Sequence, residues 1–194
     1  QPKVIGLTAR KTDFTLLYYG KERGQTVIWA NKYGPGASLL DSTIVTGLGN
    51  LYYTPGFLLV RSEDRSKALI YYIEKQDLIK AFAFDVERMK LLWETSLMLD
   101  DFNYYQHFQQ MLLDNEGNMT LVLEKDNFRS KKDAHRFEAY TFYSESRMLE
   151  RYDIPMPGML TYDASFTYDH INSLLVGGWL FSEKNLFRPD GYFF

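Results

Sequence analysis

A strand–turn–strand element recurs along this chain, and the recurrence limits the fold more than any other feature. Four polar turns, Gly20–Gly24, Ser62–Ser66, Asp114–Asn118 and Asp169–Asn172, each separate two apolar or aromatic runs. The flanks are Phe14–Tyr19 with Thr26–Trp29, Phe57–Val60 with Ala68–Ile73, Met111–Leu113 with Met119–Leu123, and Ser165–Tyr168 with Leu174–Phe181. Short polar turns rich in Gly, Asn and Asp between such runs are the sequence mark of β-hairpins. The hairpins follow one another at about 42 to 55 residues, a spacing expected of a propeller or an array of small sheets.

A second element repeats in step with the first. Lys80–Trp93 reads strand, turn, strand, and Glu138–Leu149 repeats it at an offset of 58 residues, with Phe82 matched by Tyr140 and Phe84 by Phe142. Gly191-Tyr192-Phe193-Phe194 starts a third copy. Polar links join the two elements: Glu74–Asp77, Glu124–Asn127 and Glu183–Asn185. One unit is therefore a hairpin, a Glu-Lys link and a strand–turn–strand pair, four strands in about 50 to 58 residues, which is the plan of a propeller blade. The fold class expected is all-β, with propeller-like repeats in a single domain over 1–194 and blades at about 1–53, 54–97, 98–160 and 161–194. The fourth blade stops after its third strand, which reads as a piece of a larger propeller; a four-bladed ring closed by a strand from Lys3 to Arg10 is the competing reading. The first blade is the irregular one, since Asn31–Tyr53 is Gly-rich and lacks the second element. Asp85–Met98 also carries Val86, Met89, Leu92 and Trp93 at helical spacing, and Asp100–Gln110 reads as a long loop.

Composition agrees with strands. Aromatic residues make up 16% of the chain, with 15 Tyr and 14 Phe, and flat rings pack well on pleated surfaces. Lys and Arg number 22 against 25 Asp and Glu, a net charge of -3, which lacks the basic excess that phosphate neutralisation demands and argues against nucleic acid as a partner. There is no cysteine, which excludes disulfides, thiolate metal sites and Cys nucleophiles. The uncharged stretch Ser42–Val60 is broken by Gly47, Gly49, Pro55 and Gly56 and does not suit a transmembrane helix. The start at Gln1 fits a signal peptide removed before that residue, and with the absence of cysteine it points to a periplasmic or other extracytoplasmic location.

No catalytic constellation stands out, and the expectation is a protein that is not an enzyme and needs no cofactor or metal. His107, His135 and His170 are far apart and lack partners at ligand spacing. There is no Gly-x-Ser-x-Gly, and Gly34-Pro35-Gly36 has no phosphate-loop continuation. Asp114–Asn118 has the oxygen-rich look of a calcium loop but lacks the distal Glu, so a hairpin with Gly117 in the left-handed conformation is expected. Asp100-Asp101 and Asp163 with Asp169 read as loop acids. The pairs Tyr18-Tyr19, Tyr52-Tyr53, Tyr71-Tyr72 and Tyr104-Tyr105 must each send one ring inward and one outward if they lie in strands. Gly177-Gly178 before Trp179 signals a bulge or a close approach.

Ala83-Phe84-Asp85 with Lys90-Leu91-Leu92-Trp93-Glu94 resembles the outer strands of quinoprotein-type propeller blades, though no paired-Trp signature or ligand set accompanies them. The C-terminal run Tyr168–Asn172, Gly177-Gly178, Ser182–Asn185, Arg188 and Gly191–Phe194 resembles periplasmic β-propeller-like proteins of the type IX secretion apparatus, in particular those that plug the outer-membrane translocon. The resemblance implies a non-enzymatic module that plugs or scaffolds a protein-export β-barrel, with Trp179, Phe181, Phe187, Arg188 and Tyr192 as candidate contacts. The alternative is a carbohydrate-binding or glycan-active propeller of the envelope.

Overall fold

The computed structural model describes residues 1–125, 136–154, 160–182 and 189–193. Within them nearly all of the regular secondary structure is strand. Four antiparallel meanders follow one another in sequence. The first is β1 (Lys3–Ala9), β2 (Phe14–Glu22), β3 (Gln25–Tyr33) and β4 (Leu39–Gly49), in spatial order 1-2-3-4. The second is β5 (Leu58–Arg61), β6 (Lys67–Glu74), β7 (Leu78–Asp85) and β8 (Lys90–Met98). The third is β9 (Phe108–Leu113), β10 (Met119–Lys125), β11 (Arg136–Phe142) and β12 (Leu149–Ile154), and the fourth is β13 (Leu160–Asp169), β14 (Leu174–Ser182) and β15 (Gly191–Phe193). Each is built like a propeller blade, as the repeat predicts. The strand pair β7–β8 recurs as β11–β12, and β15 pairs with β14 as the third strand of its sheet.

Two expectations change, and two competing readings fall away. The first sheet is regular: the Gly-rich segment forms β4, the longest strand, which accommodates its extra residues through three register shifts against β3. The strand starting at Lys3 does not close a ring but pairs with β2 from Lys3↔Tyr19 to Ala9↔Phe14. Its turn, Arg10–Asp13, contains no Gly, Pro or Asn, only Asp13 as a turn residue, and is held by Arg10 N–H donating to Asp13 O at 2.8 Å. The Gly20–Gly24 hairpin therefore joins second and third strands, whereas the other three join first and second. Asp85–Met98 is β8 after a turn, not a helix, and Asp100–Gln110 holds a short helix, α1 (Tyr104–His107), capped by the Asn103 side chain accepting from Tyr105 N–H. The Glu183–Asn185 link and all of Asp126–His135 lie outside the described residues.

The chain divides into two compact units, 1–100 with 113–117, and 101–112 with 118–194. In the first, the core lies between the first two sheets: Leu17, Ile28, Ala30 and Val45 pack on Ala68, Ile70, Tyr72, Phe82 and Phe84. β6 reads as a continuous apolar run, Ala68–Ile73, because both of its faces are buried. Tyr71 and Tyr72 therefore point to opposite faces, yet both are buried. In the second unit Val122 and Phe137 pack on Ala164, Phe166 and Trp179.

The open edges of the innermost strands are satisfied by side chains from the neighbouring sheet. In the first unit Arg61 on β5 donates through Nε and Nη2 to Leu7 O of β1 at 3.0 and 2.6 Å. In the second, Gln109 of β9 donates to Ala164 O at 2.6 Å, and Gln110 both donates to Phe166 O and accepts from Phe166 N–H at 2.8 Å. A paired amide of this kind stands in for a missing strand.

Gly177 explains the Gly-Gly signal as a close approach. A Cβ there would lie 2.7 Å from Trp179 Cη2 and 2.8 Å from Phe166 Cε1, so both rings pack directly over the bare backbone. Gly177→Ala is expected to destabilise the protein by about 1–3 kcal/mol, as overpacking does. Gln110→Ala, which leaves the Phe166 edge groups unpaired, is expected to cost a similar amount, about 1–3 kcal/mol. Urea denaturation followed by tryptophan fluorescence measures both.

Candidate functional site

Among the described residues, the C-terminal candidates Trp179, Phe181 and Tyr192 do not share one exposed face. Trp179 is only 8% exposed, because its register places it opposite Ala164 on the core face, in contact with Phe137 and Phe166. Phe181 is half-buried, with its ring 2.8 Å from where a Cβ on Gly191 would stand. Tyr192 is 70% exposed and pairs with Leu180. Phe187 and Arg188 lie outside the described residues. Of the histidines, His107 accepts from Asn103 N–H through Nδ1 at 3.1 Å, which closes α1, and His135 lies outside the described residues. Asp169 binds Asn172 and Ile171 in its turn; the hydrogen bond from the Asn172 side chain, with the backbone bonds, holds its carboxyl below the usual range. Gly117 has φ 87, the left-handed conformation expected of the Asp114–Asn118 hairpin. Among the described residues no group of three or more His, Cys, Asp or Glu could hold a metal, and no helix is long and apolar enough to cross a membrane.

The surface that the fold does assemble lies on the first sheet. Both faces of β2 are apolar: Leu17 and Tyr19 face the core, while Phe14, Leu16 and Tyr18 face away from it. Pairing aligns the outward row of β2 with Val4 and Leu7 on β1, Trp29, Asn31 and Tyr33 on β3, and through them Leu39, Ser42 and Ile44 on β4. Tyr18 stacks on Trp29 at 5.5 Å and Phe14 on Tyr33 at 5.2 Å. Asn31, the polar centre, is engaged within the face: it accepts from Tyr18 OH and Ser42 Oγ and donates to Tyr33 OH. Val4 remains 66% exposed and Ile44 57%. None of these residues is charged. An uncharged, aromatic-rich surface with its polar atoms already paired has the composition of an interface core. Sequence reasoning divided the Tyr pairs by face but did not find this surface. The available signal was that Phe14–Tyr19 is apolar at both odd and even positions, which predicts a strand covered on both sides.

A charged cluster lies on the third sheet. Glu138, with its side chain 4% exposed, takes Arg151 Nη2 at 3.1 Å and Arg136 Nη2 at 3.5 Å, and accepts from Tyr140 OH at 2.9 Å. Burial, and next the hydrogen bond to Glu138, push the Tyr140 hydroxyl up to about 12, so it stays a proton donor.

No family model and no curated protein matches this chain. Its similarity is to solved propeller structures. With the β-propeller domain of the Trilobed protease from Pyrococcus furiosus it shares 8% identity at a TM-score of 0.44, over 93% of this chain and 52% of that one. With Pyrococcus horikoshii acylaminoacyl peptidase it shares 8% identity at 0.43, over 87% of this chain and 26% of that one. With the NanB sialidase from Streptococcus pneumoniae it shares 14% identity at 0.39, over 95% and 28%. The chain thus spans between about a quarter and a half of the length of these proteins.

Replacing Glu138 by Gln removes the negative partner of Tyr140, and the midpoint of that phenol is expected to fall from about 12 toward the ordinary value of 10.0, while burial keeps it above it. A pH titration of phenolate absorbance, assigned by difference from Tyr140→Phe, reads the change.

Proposed function

We propose that this protein is a non-enzymatic binding module whose partner docks on the outward face of the first sheet, and that the partner is an outer-membrane protein-export β-barrel of the type IX kind, met from the periplasmic side. The observation that carries the reading is the uncharged aromatic and aliphatic surface of Val4, Leu7, Tyr18, Trp29 and Ile44. The opposite face of the same sheet is equally apolar and is covered by another sheet. A second sheet of β-structure, flat and apolar, is the natural complement, since stacked sheets meet face to face at about 10 Å. The C-terminal resemblance points to a β-barrel translocon as the assembly in which that partner sheet is found. Strand β4, at the free edge of the sheet, has a single charged residue, Asp41, in eleven and so offers little of the edge protection that charges provide.

Co-purification with the translocon from outer membranes of a type IX-secreting bacterium tests the reading. The native protein is expected to retain the barrel, and Ile44→Lys or Val4→Glu to lose it while the circular dichroism spectrum stays native. Retention unchanged in both variants, or no barrel retained by the native protein, overturns the proposal.

A further inference from the structure

On the core-facing side of the second sheet, the alternation of β6 and β7 runs Ala68, Ile70, Tyr72 and Phe84, Phe82. The next residue of the β7 row is Lys80, which the register sets opposite Tyr72 on one side and Ser96 on the other, with Glu94 opposite Phe82. Three polar side chains thus occupy rows whose other members build the core. Polar groups at such positions carry a desolvation cost unless the sheets part there, and breaks in an otherwise consistent pattern concentrate at functional sites. The sheets do part. A cleft of about 360 Å³ opens between β4 and β7–β8, lined by Thr46, Tyr72, Lys80, Phe82, Glu94 and Ser96. That volume falls within the range of roughly 300–1,000 Å³ typical of small-molecule sites.

The polar groups are held in place. Thr46 Oγ1, from the first sheet, donates to Glu94 Oε2 at 3.0 Å, which orients the carboxylate and leaves Oε1 to accept from a ligand. Lys80 Nζ stands 3.6 Å from Glu74 Oε2, a long ion pair that leaves further N–H groups to donate. Burial, then the Glu74 carboxylate and the Tyr53 phenol, raise the pKa of Tyr72, so its hydroxyl remains protonated. Tyr53 is 64% exposed, and Tyr52 beside it is fully exposed.

The charge balance selects the ligand. Two carboxylates beside one ammonium disfavour an anion, the ammonium disfavours a cation, and the polar wall disfavours an apolar molecule. What remains is a compact neutral molecule that both donates and accepts at several points. We propose that the cleft binds a neutral sugar residue, with Glu94 and Lys80 hydrogen-bonding neighbouring hydroxyls, Thr46, Ser96 and Tyr72 completing the set, and the exposed Tyr53 ring available to pack on the next residue of an oligosaccharide. This site uses the core-facing side of the first sheet and is independent of the protein-docking face opposite.

The test is a titration of the ¹⁵N-labelled protein with maltotriose, xylotriose and chitotriose, read from backbone amide shifts, with glycine as the zwitterion control. At least one trisaccharide is expected to shift the amides of residues 46–48, 80 and 94–96, and Glu94→Gln and Lys80→Met to weaken that binding by about tenfold or more, the loss expected of a hydrogen bond to a charged group. Glu87→Gln, which removes an exposed acid paired with Arg10, is expected to bind as the native protein does. Ser96→Ala, at an exposed position, is a milder second variant and is expected to bind several-fold more weakly. Shifts at these amides with none of the three sugars, shifts with glycine instead, or equal affinity in Glu94→Gln, Lys80→Met and Ser96→Ala overturns the proposal.

Discussion

The backbone groups on the open edge of each innermost strand need partners, and the rest of the architecture follows from how they are met. A first strand such as β1 or β13 is hydrogen-bonded on one side only. Its other edge is closed by Arg61 in one unit and by Gln109 and Gln110 in the other, reaching across from the neighbouring sheet. These contacts join residues 54 to 56 positions apart, the same interval as the sequence repeat. The repeat is thus a distance in the chain that becomes a contact in space. Within each unit it brings the two sheets face to face, and their apolar rows then exclude water between them.

In the first unit, face-to-face stacking goes with central strands that are apolar on both sides, β2 and β6, and the two candidate surfaces are departures from that pattern. Strand β6 of the second sheet buries both of its faces and reads as an unbroken hydrophobic run. The first sheet has the same two-sided composition, yet only its core-facing side is packed, so Phe14, Tyr18 and Trp29 and their neighbours form a surface on its other side. The cleft arises from the opposite departure: polar residues placed on rows that should be core. One feature is apolar where solvent lies, the other polar where core would be expected, and each breaks the rule that governs the remainder of the fold.

Much of the fold was legible because it is written locally. Alternation at Lys80–Phe84 and at Glu138–Phe142 marks strands, and polar tetrads such as Asp114–Gly117 mark their turns, each within a few residues. The misreadings occurred where the local signal was silent or ambiguous. The Arg10–Asp13 turn has only Asp13 as a turn residue, so the β1–β2 hairpin goes unmarked and the Gly20–Gly24 hairpin reads as the first of its repeat. The glycines of β4 are absorbed by register shifts against β3 that no single-strand pattern reveals. Trp179 resembled a surface anchor by residue type, but its place opposite Ala164 sends it into the core.

The sequence by itself determined the strands, most of their hairpins and the interval at which they recur, because these depend on side-chain alternation and turn chemistry between near neighbours. Only the tertiary structure decided which faces are covered, that Thr46 meets Glu94 across two sheets, and that Lys80, Glu94 and Ser96 gather around one cleft. The reason is physical. Which face of a strand is covered depends on residues some fifty positions away, brought close by stacking, and no pattern within a single strand carries that distance.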